Sequence, residues 1–471
     1  MKKNKLTMAV VAGIAGVAGM ANAAQYVNPE GHGQVLIYPY YSVNNGLNTL
    51  YSVVNTTADT KAVKVRFLEG ENTLEVLDFN VYLSAYDVWT GALGPFTSTI
   101  AGHVGEPSGV HVSSDTSCAP FLNKAGQEFL PYTIDEDDAT GNTSMRRSTD
   151  GHFEVLEMAT FIGPTIGWAD HGATGVPANC GAIQADWDDN NFYDTADEDL
   201  VTGGLFGSAS IVNVAEGLAM TYDAIAIDEF WTGGVGSHSE PGSLLPSLAQ
   251  GDLEAIVFQN GAAVSSTFLS GAEAVSALFT KQAIYNEYAL DSIVNGKTEW
   301  VITFPTKNFH VDEVVSAIPP FVNTWNGSAS CHEFQLTMWD REEQEETVST
   351  GGVSPRPPAG ENPQLCLEVN VVEFILPGGV AGAESSIMGS DNLVTVTTPS
   401  IAHATENGWA RMEFNDDDGT AYVTSAIAGA DYVGLPVVGF AAQQFSNGGA
   451  GAGLLAQYAG LFVHKGRVVS Q

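Results

Sequence analysis

Between Gly33 and Leu93, apolar and polar residues alternate in short runs separated by turn formers, a pattern of strands rather than amphipathic helices. GQVLIYPYYS predicts a first strand, Asn44-Asn45-Gly46 a turn, and LNTLYSVVNTT a second strand that closes at Thr57-Ala58-Asp59. In KAVKVRF, Val63, Val65 and Phe67 alternate with Lys64 and Arg66, so one face should be buried and the other wet. LEVLDFNVYL puts Leu77, Phe79, Val81 and Leu83 on one face. Leu74 and Val76 have the opposite parity, which predicts a bulge near Val76.

The pattern loosens between Gly94 and Pro246, where HFEVLEMATFI and LFGSASIVNV read as strands among long acidic loops. Ser270 followed by Glu273 forms a capping box ahead of AVSALF, the clearest helix start in the chain. YALDSIV and TEWVITF flank Asn295-Gly296 and predict a type I′ hairpin, and WARMEFNDDDGTAYVTSAI predicts another turning at Asp418-Gly419. HEFQLTMWDREEQEE and CLEVNVVEFIL read as strands around the Pro/Gly-rich loop GGVSPRPPAGENPQ. The expected fold is mainly β: antiparallel, immunoglobulin-like β-sandwich units with long loops and one or two short helices. Its expected divisions are a leader over 1–23, a sandwich unit over 24–100, a β-rich central region over 101–300 and a β-rich region over 301–471.

The leader is read from Lys2, Lys3 and Lys5, an apolar run from Met8 to Met20, and the small residues of Ala21-Asn22-Ala23, the features of a signal peptide. The run is too short to span a bilayer, and no later stretch is long and apolar enough for a transmembrane helix. The polar ending GLFVHKGRVVSQ argues against a transmembrane barrel. Export agrees with the cysteines: Cys118, Cys180, Cys331 and Cys366 are an even set, expected as two disulfides. Proximity suggests Cys118–Cys180 and Cys331–Cys366. Both would be strand-starting cysteines in the second pair, so either that bridge joins non-adjacent strands or the connectivity is another of the three possible.

Charge narrows the function classes. Lys+Arg 17 against Asp+Glu 55 gives a net −38, and removal of the leader takes away three more positive charges. Such a surface repels phosphates, which excludes a general nucleic-acid binder. The acids are spread widely, as expected of a well-hydrated surface, but DWDDNNFYDTADEDL concentrates seven of them between Asp186 and Asp199. Counted as a twelve-position calcium loop, it offers Asp186, Asp188, Asn190, the carbonyl of Phe192, Asp194 and Asp197 at the ligand positions. Asn191 stands at the turn, Asp replaces the usual bidentate Glu, and the flanks do not read as helices, so an EF-hand is not expected. The other reading is a solvated acidic loop.

DEDD at Asp135 to Asp138, near Arg146 and Arg147, suggests a charge-paired loop or a second cation site. His103, His111 and His310 read as ordinary loop or strand-end residues. Tyr38, Tyr40, Tyr41 and Trp89 could stack on sugars but suit a sandwich core better. G-x-S-x-G and H-E-x-x-H are absent, and GKT lacks the glycine of a phosphate loop.

NVYLSAYDVWTG, NEYALDS, TEWVITFPTK and YAGLFVHKG resemble segments of a family of exported proteobacterial proteins with no assigned activity. The resemblance covers most of the mature chain; it implies secretion and a shared fold, and transfers no site residue. The expectation is an exported, non-catalytic binding, adhesion or structural protein of the cell surface or matrix. Calcium is its candidate cofactor, and other surface proteins, itself or glycans are its candidate partners. The alternative is a secreted carbohydrate-active hydrolase or lyase with paired carboxylates.

Overall fold

The computed structural model describes residues 24–137, 141–187, 193–312, 314–348, 353–354, 363–382, 386–398, 406–415, 422–451 and 454–471. The expected leader therefore lies outside the described residues. The architecture is a set of packed β-sheets with short helices, of which Gly271–Phe279 is the longest among the described residues.

Two sheets form the first sandwich. The larger runs in the order Ala262–Thr267, Glu254–Gln259, Gln25–Val27, Ile225–Asp228, Val35–Ser42, Asp150–Phe161, Lys61–Glu69 and Glu75–Leu83. The smaller contains Leu218–Asp223, Leu205–Asn213, Leu47–Asn55, Val88–Thr97, Pro107–Val112 and Gln127–Glu128. Strands from both sides of residue 100 thus share both sheets. A second sandwich places Glu345–Val348, Gln335–Asp340, Asn407–Glu413, Ala283–Ala289 and Lys465–Arg467 against a sheet of Val353–Ser354, Leu393–Thr397, Val369–Ile375, Lys297–Thr303, Val438–Gly451 and Leu454–Val463. Among the described residues, pairing is antiparallel except where Gln25–Val27 meets Glu254–Gln259 and Val369–Ile375 meets Leu393–Thr397.

Alternation sorts side chains into cores. Tyr38, Val65, Phe67, Phe79 and Phe153 from the larger first sheet meet Tyr51, Val53, Trp89 and Ile211 from the smaller. This cluster continues into Val301, Val369, Val371, Phe440 and Ala442 of the second sandwich. On the adjacent strand positions, Trp300, Ile302, Val372 and Ala441 face the other way and fill the second core with Leu336, Met338 and Met412. The sheet over Lys297–Thr303 is therefore buried on both faces. Helix Gly271–Phe279 covers the outer face of the large first sheet, packing Ala274, Val275 and Leu278 against Val35, Ile37 and Ile227. Its capping box forms as predicted, with Ser270 Oγ accepting from the Glu273 amide at 3.2 Å and Glu273 accepting from the Ser270 amide at 3.0 Å.

The bulge falls where parity placed it: Phe67 pairs with Leu77 and Leu68 with Glu75, leaving Val76 over. Several other expectations are corrected. Lys61–Glu69 is buried on both faces, because its cations meet carboxylates from neighbouring strands. Lys61 donates to Glu157 at 2.5 Å, Lys64 to Asp78 at 2.6 Å, and Arg66 to Glu75 at 2.7 Å and to Glu154. The loop through Glu240 and Ser243 also lays two carbonyls over the Lys64 ammonium, at 2.9 and 2.8 Å.

The Asn295-Gly296 hairpin does not form. Ala283–Ala289 and Lys297–Thr303 enter different sheets, joined through a 3₁₀ turn whose left-handed Asn295 follows Ser292–Val294. Asn407–Glu413 and Val423–Thr424 likewise join different sheets; Asp418-Gly419 lies outside the described residues. The cysteines pair as proximity suggested. Cys366, however, follows the short strand Gln364–Leu365 instead of starting a strand. His332 pairs with Leu365 and Glu333 with Gln364, so Cys331–Cys366 closes two adjacent antiparallel strands.

Candidate functional site

The acidic stretch is built on the strand Asp150–Phe161. After it the chain turns at Gly163 into the helix Pro164–Ala169, and returns through the helix Cys180–Trp187, held to Cys118 by the disulfide. That second helix corrects the reading of a non-helical flank. It shows little amphipathic pattern, with Ile183 its buried residue.

Asp186, Asp194 and Asp197 line one cleft of about 290 Å³ with Trp168, Ile162 and Pro164. Asp188, Asn190 and Phe192 lie outside the described residues. Asp194 caps the turn Thr195–Asp197 by accepting from the Ala196 amide at 3.1 Å. Asp197 accepts from the Thr165 amide at 3.0 Å, and its carbonyl accepts from the Ile162 amide at 2.8 Å. A Cβ on Gly163 would sit 2.2 Å from that of Asp197, so only glycine lets the two segments close. Burial, then the Asp194 and Asp197 carboxylates, raise the pKa of Asp186. Among the described residues, no group of three or more His, Cys, Asp or Glu side chains stands at cation-binding spacing.

No family model, curated protein or solved structure matches the chain.

Beneath the cleft lies a polar chain that sequence reasoning missed. Trp187 Nε1 donates to Tyr82 Oη at 2.8 Å, Tyr82 Oη bonds His238 Nε2 at 2.9 Å, and His238 Nδ1 meets Glu198 at 2.5 Å. Tyr193 and Phe161 pack around the imidazole, with ring centroids 4.6 and 5.7 Å away. The polar contacts orient the aromatic cluster under the acidic loop. His238 sits in GVGSHSEPG, a segment without periodicity or motif, so no sequence signal marked it.

Tyr38, Tyr40, Tyr41 and Trp89 are fully buried and unavailable to a sugar. DEDD begins in a helix, Tyr132–Asp137, instead of a loop, and Asp138 lies outside the described residues. Asp135 meets His103 at 3.1 Å, while Arg147 pairs with Glu69 at 2.9 Å and Arg146 with Asp391. His111 bonds Tyr51 at 2.9 Å, and His310 bonds Ser276 at 2.8 Å, both inside the core.

The other distinctive surface is the strand Leu454–Val463, the outer strand of its sheet, paired only with Val438–Gly451 among the described residues. Its sequence, LLAQYAGLFV, contains neither charge nor proline. Ala459 and Leu461 pack on the first core, while Tyr458 and Phe462 are 64% and 47% exposed.

Proposed function

We propose that this is an exported, disulfide-stapled surface protein that works by assembly, adding a strand of a second copy to the edge at Leu454–Val463. The observation supporting this reading is that uncharged outer strand, which lies against Leu218–Asp223 on one side and presents Tyr458 and Phe462 to solvent on the other. Soluble sheets ordinarily protect such edges with charge, proline or a covering segment. In a chain of net −38, copies repel over most of their surfaces, and an uncharged strip is where they can approach. Two disulfides suit the oxidising compartments outside the cytoplasm. Light scattering of residues 24–471 over a concentration series should show association that strengthens with NaCl, as screening lowers the repulsion. Tyr458→Lys with Phe462→Lys should abolish it. A wild-type chain that stays monomeric throughout would end the proposal.

Calcium enters as a stabiliser of the acidic stretch. Asp186, Asp194 and Asp197 do not stand at cation-binding spacing, but they line one cleft, and a divalent cation drawn to it would relieve their mutual repulsion. Thermal melts with calcium and with EDTA, on wild type and Asp188→Asn, test this: a calcium-dependent rise in wild type should shrink in the variant.

A second reading has its own support. A carboxyl with a raised pKa beside two other carboxylates and Trp168 is an arrangement that suits glycoside cleavage. Hydrolysis of aryl glycosides by wild type, lost in Asp186→Asn with an unchanged melt, would favour it over assembly.

A further inference from the structure

Where the large first sheet meets the second sandwich, the packing leaves a cavity of about 340 Å³. Its walls are apolar, formed by Ile225, Ile256, Phe258, Phe279, Val438 and Val463. Phe258 and Val463 keep 38% and 57% of their surfaces exposed and mark its mouth. Two polar residues reach it, and their states differ. His464 is satisfied: Nε2 bonds the Val301 carbonyl at 3.0 Å and Nδ1 bonds the Asn286 amide at 3.0 Å. Burial draws its pKa down to about 4, so it is a neutral part of the wall.

Lys281 is different. Its stem lies across Gly466, where an added Cβ would come within 2.6 Å of Lys281 Cδ. Its ammonium has no hydrogen-bond or ion-pair partner among the described residues. Burial alone, with no nearby carboxylate, lowers its pKa to about 8. In a chain with 55 acids, Lys61 and Lys64 each receive a carboxylate of their own, and Lys281 receives none. Lys281 is half-buried and its ammonium keeps some solvent contact, but an unpaired cation against apolar walls still carries part of a desolvation penalty that an incoming anion would offset. One cationic donor among hydrocarbon walls suits a single-charge head on an apolar tail. A phosphate would call for several convergent donors.

We propose that this cavity binds an amphipathic monoanion, a carboxylate on a hydrocarbon chain, with its head on Lys281 and its tail among Ile225, Ile256 and Phe279. An apolar cavity of about 150 Å³ accommodates benzene, so the volume here suits a tail of roughly ten to twelve carbons.

Calorimetric titration of residues 24–471 with decanoate, 1-decanol and decyltrimethylammonium, each below its aggregation limit, tests the proposal. Decanoate should bind at least tenfold more tightly than decanol, and the cation should bind more weakly still. Lys281→Met should remove the preference for decanoate over decanol, and Lys281→Arg should keep it. Ile225→Trp should weaken both ligands by occupying the tail site, and it tests the cavity even if Lys281→Met fails to fold. Equal binding of decanoate and decanol, undiminished decanoate binding by Lys281→Met, or no decanoate binding by wild type would overturn the proposal.

Discussion

Replacing Lys61 with methionine strands the Glu157 carboxylate inside the first sandwich. In the native protein Glu157 accepts from the Lys61 ammonium at 2.5 Å and from the amides of Thr202 and Gly203 at 3.1 and 2.8 Å. Both side chains of the ion pair are fully buried. The variant keeps the two amides and loses the counter-charge, and removing one member of a buried pair typically costs about 3–5 kcal/mol. Proton uptake sets a ceiling on that loss. Neutralising a glutamate of reference pKa about 4.3 costs about 1.36 kcal/mol per pH unit above that value, or roughly 3.7 kcal/mol at pH 7 and about 1 kcal/mol at pH 5. The native Glu157 pKa is already raised, chiefly by burial, so protonation is the route open to it. Urea unfolding of wild type and Lys61→Met at both pH values should give a deficit of about 3–4 kcal/mol at pH 7, shrinking to about 1 at pH 5. Lys61→Met with Glu157→Met should remove most of the pH dependence. A deficit below about 1 kcal/mol at pH 7, or one equal at the two pH values, would refute the reasoning.

Ser270→Ala removes the side-chain acceptor that caps Gly271–Phe279 and should lower stability by about 1 kcal/mol in the same urea assay. Gly163→Ala drives a Cβ into Asp197 and should destabilise the acidic cleft, read as faster proteolysis between residues 186 and 199. Opening Cys118–Cys180, which spans 62 residues, should cost about 4 kcal/mol in the chain-entropy model, measured by comparing Cys118→Ala/Cys180→Ala with wild type. Buried acids and histidines pull the pH profile in opposite directions. Burial raises Glu299 to about 7 and Glu368 to about 8, above their unfolded values, so stability should rise as pH falls from 8 toward 5. Burial lowers His111 and His152 to about 3 and His310 to about 4, so the unfolded chain gains protons first below about pH 6.5 and stability is lost toward pH 4. Melts across this range should therefore peak on the mildly acid side of neutral, and a midpoint still rising at pH 8.5 would contradict the assignments.

Where local pattern is enough, the sequence reads well. The parity break at Val76 needs only the pleat, and the Ser270–Glu273 box needs only one helical turn. Where the partner is distant, pattern misleads. Lys64 and Arg66 look solvent-facing because Asp78, Glu154 and the loop carbonyls that cover them come from elsewhere in the chain. Asn295 does adopt the left-handed conformation its type favours, yet the flanking strands find distant partners, Ala283–Ala289 with Asn407–Glu413 and Lys297–Thr303 with Val369–Ile375. For the acidic stretch, residue counting brought Asp186, Asp194 and Asp197 together. It could not see that Asp194 and Asp197 also close local turns, or that His238 orients the cluster beneath them.

The core shared by the two sandwiches bears on the order in which the chain can fold. A polypeptide appearing from its first residues onward would offer Tyr40, Leu47 and Tyr222 long before Val369, Val371 and Phe440 arrive to cover the same cluster. Until the last strands emerge, the early sheets expose a greasy, half-finished seam. Productive folding is thereby tied to completion of the chain, and a chain stalled partway would be a substrate for holding chaperones and proteases.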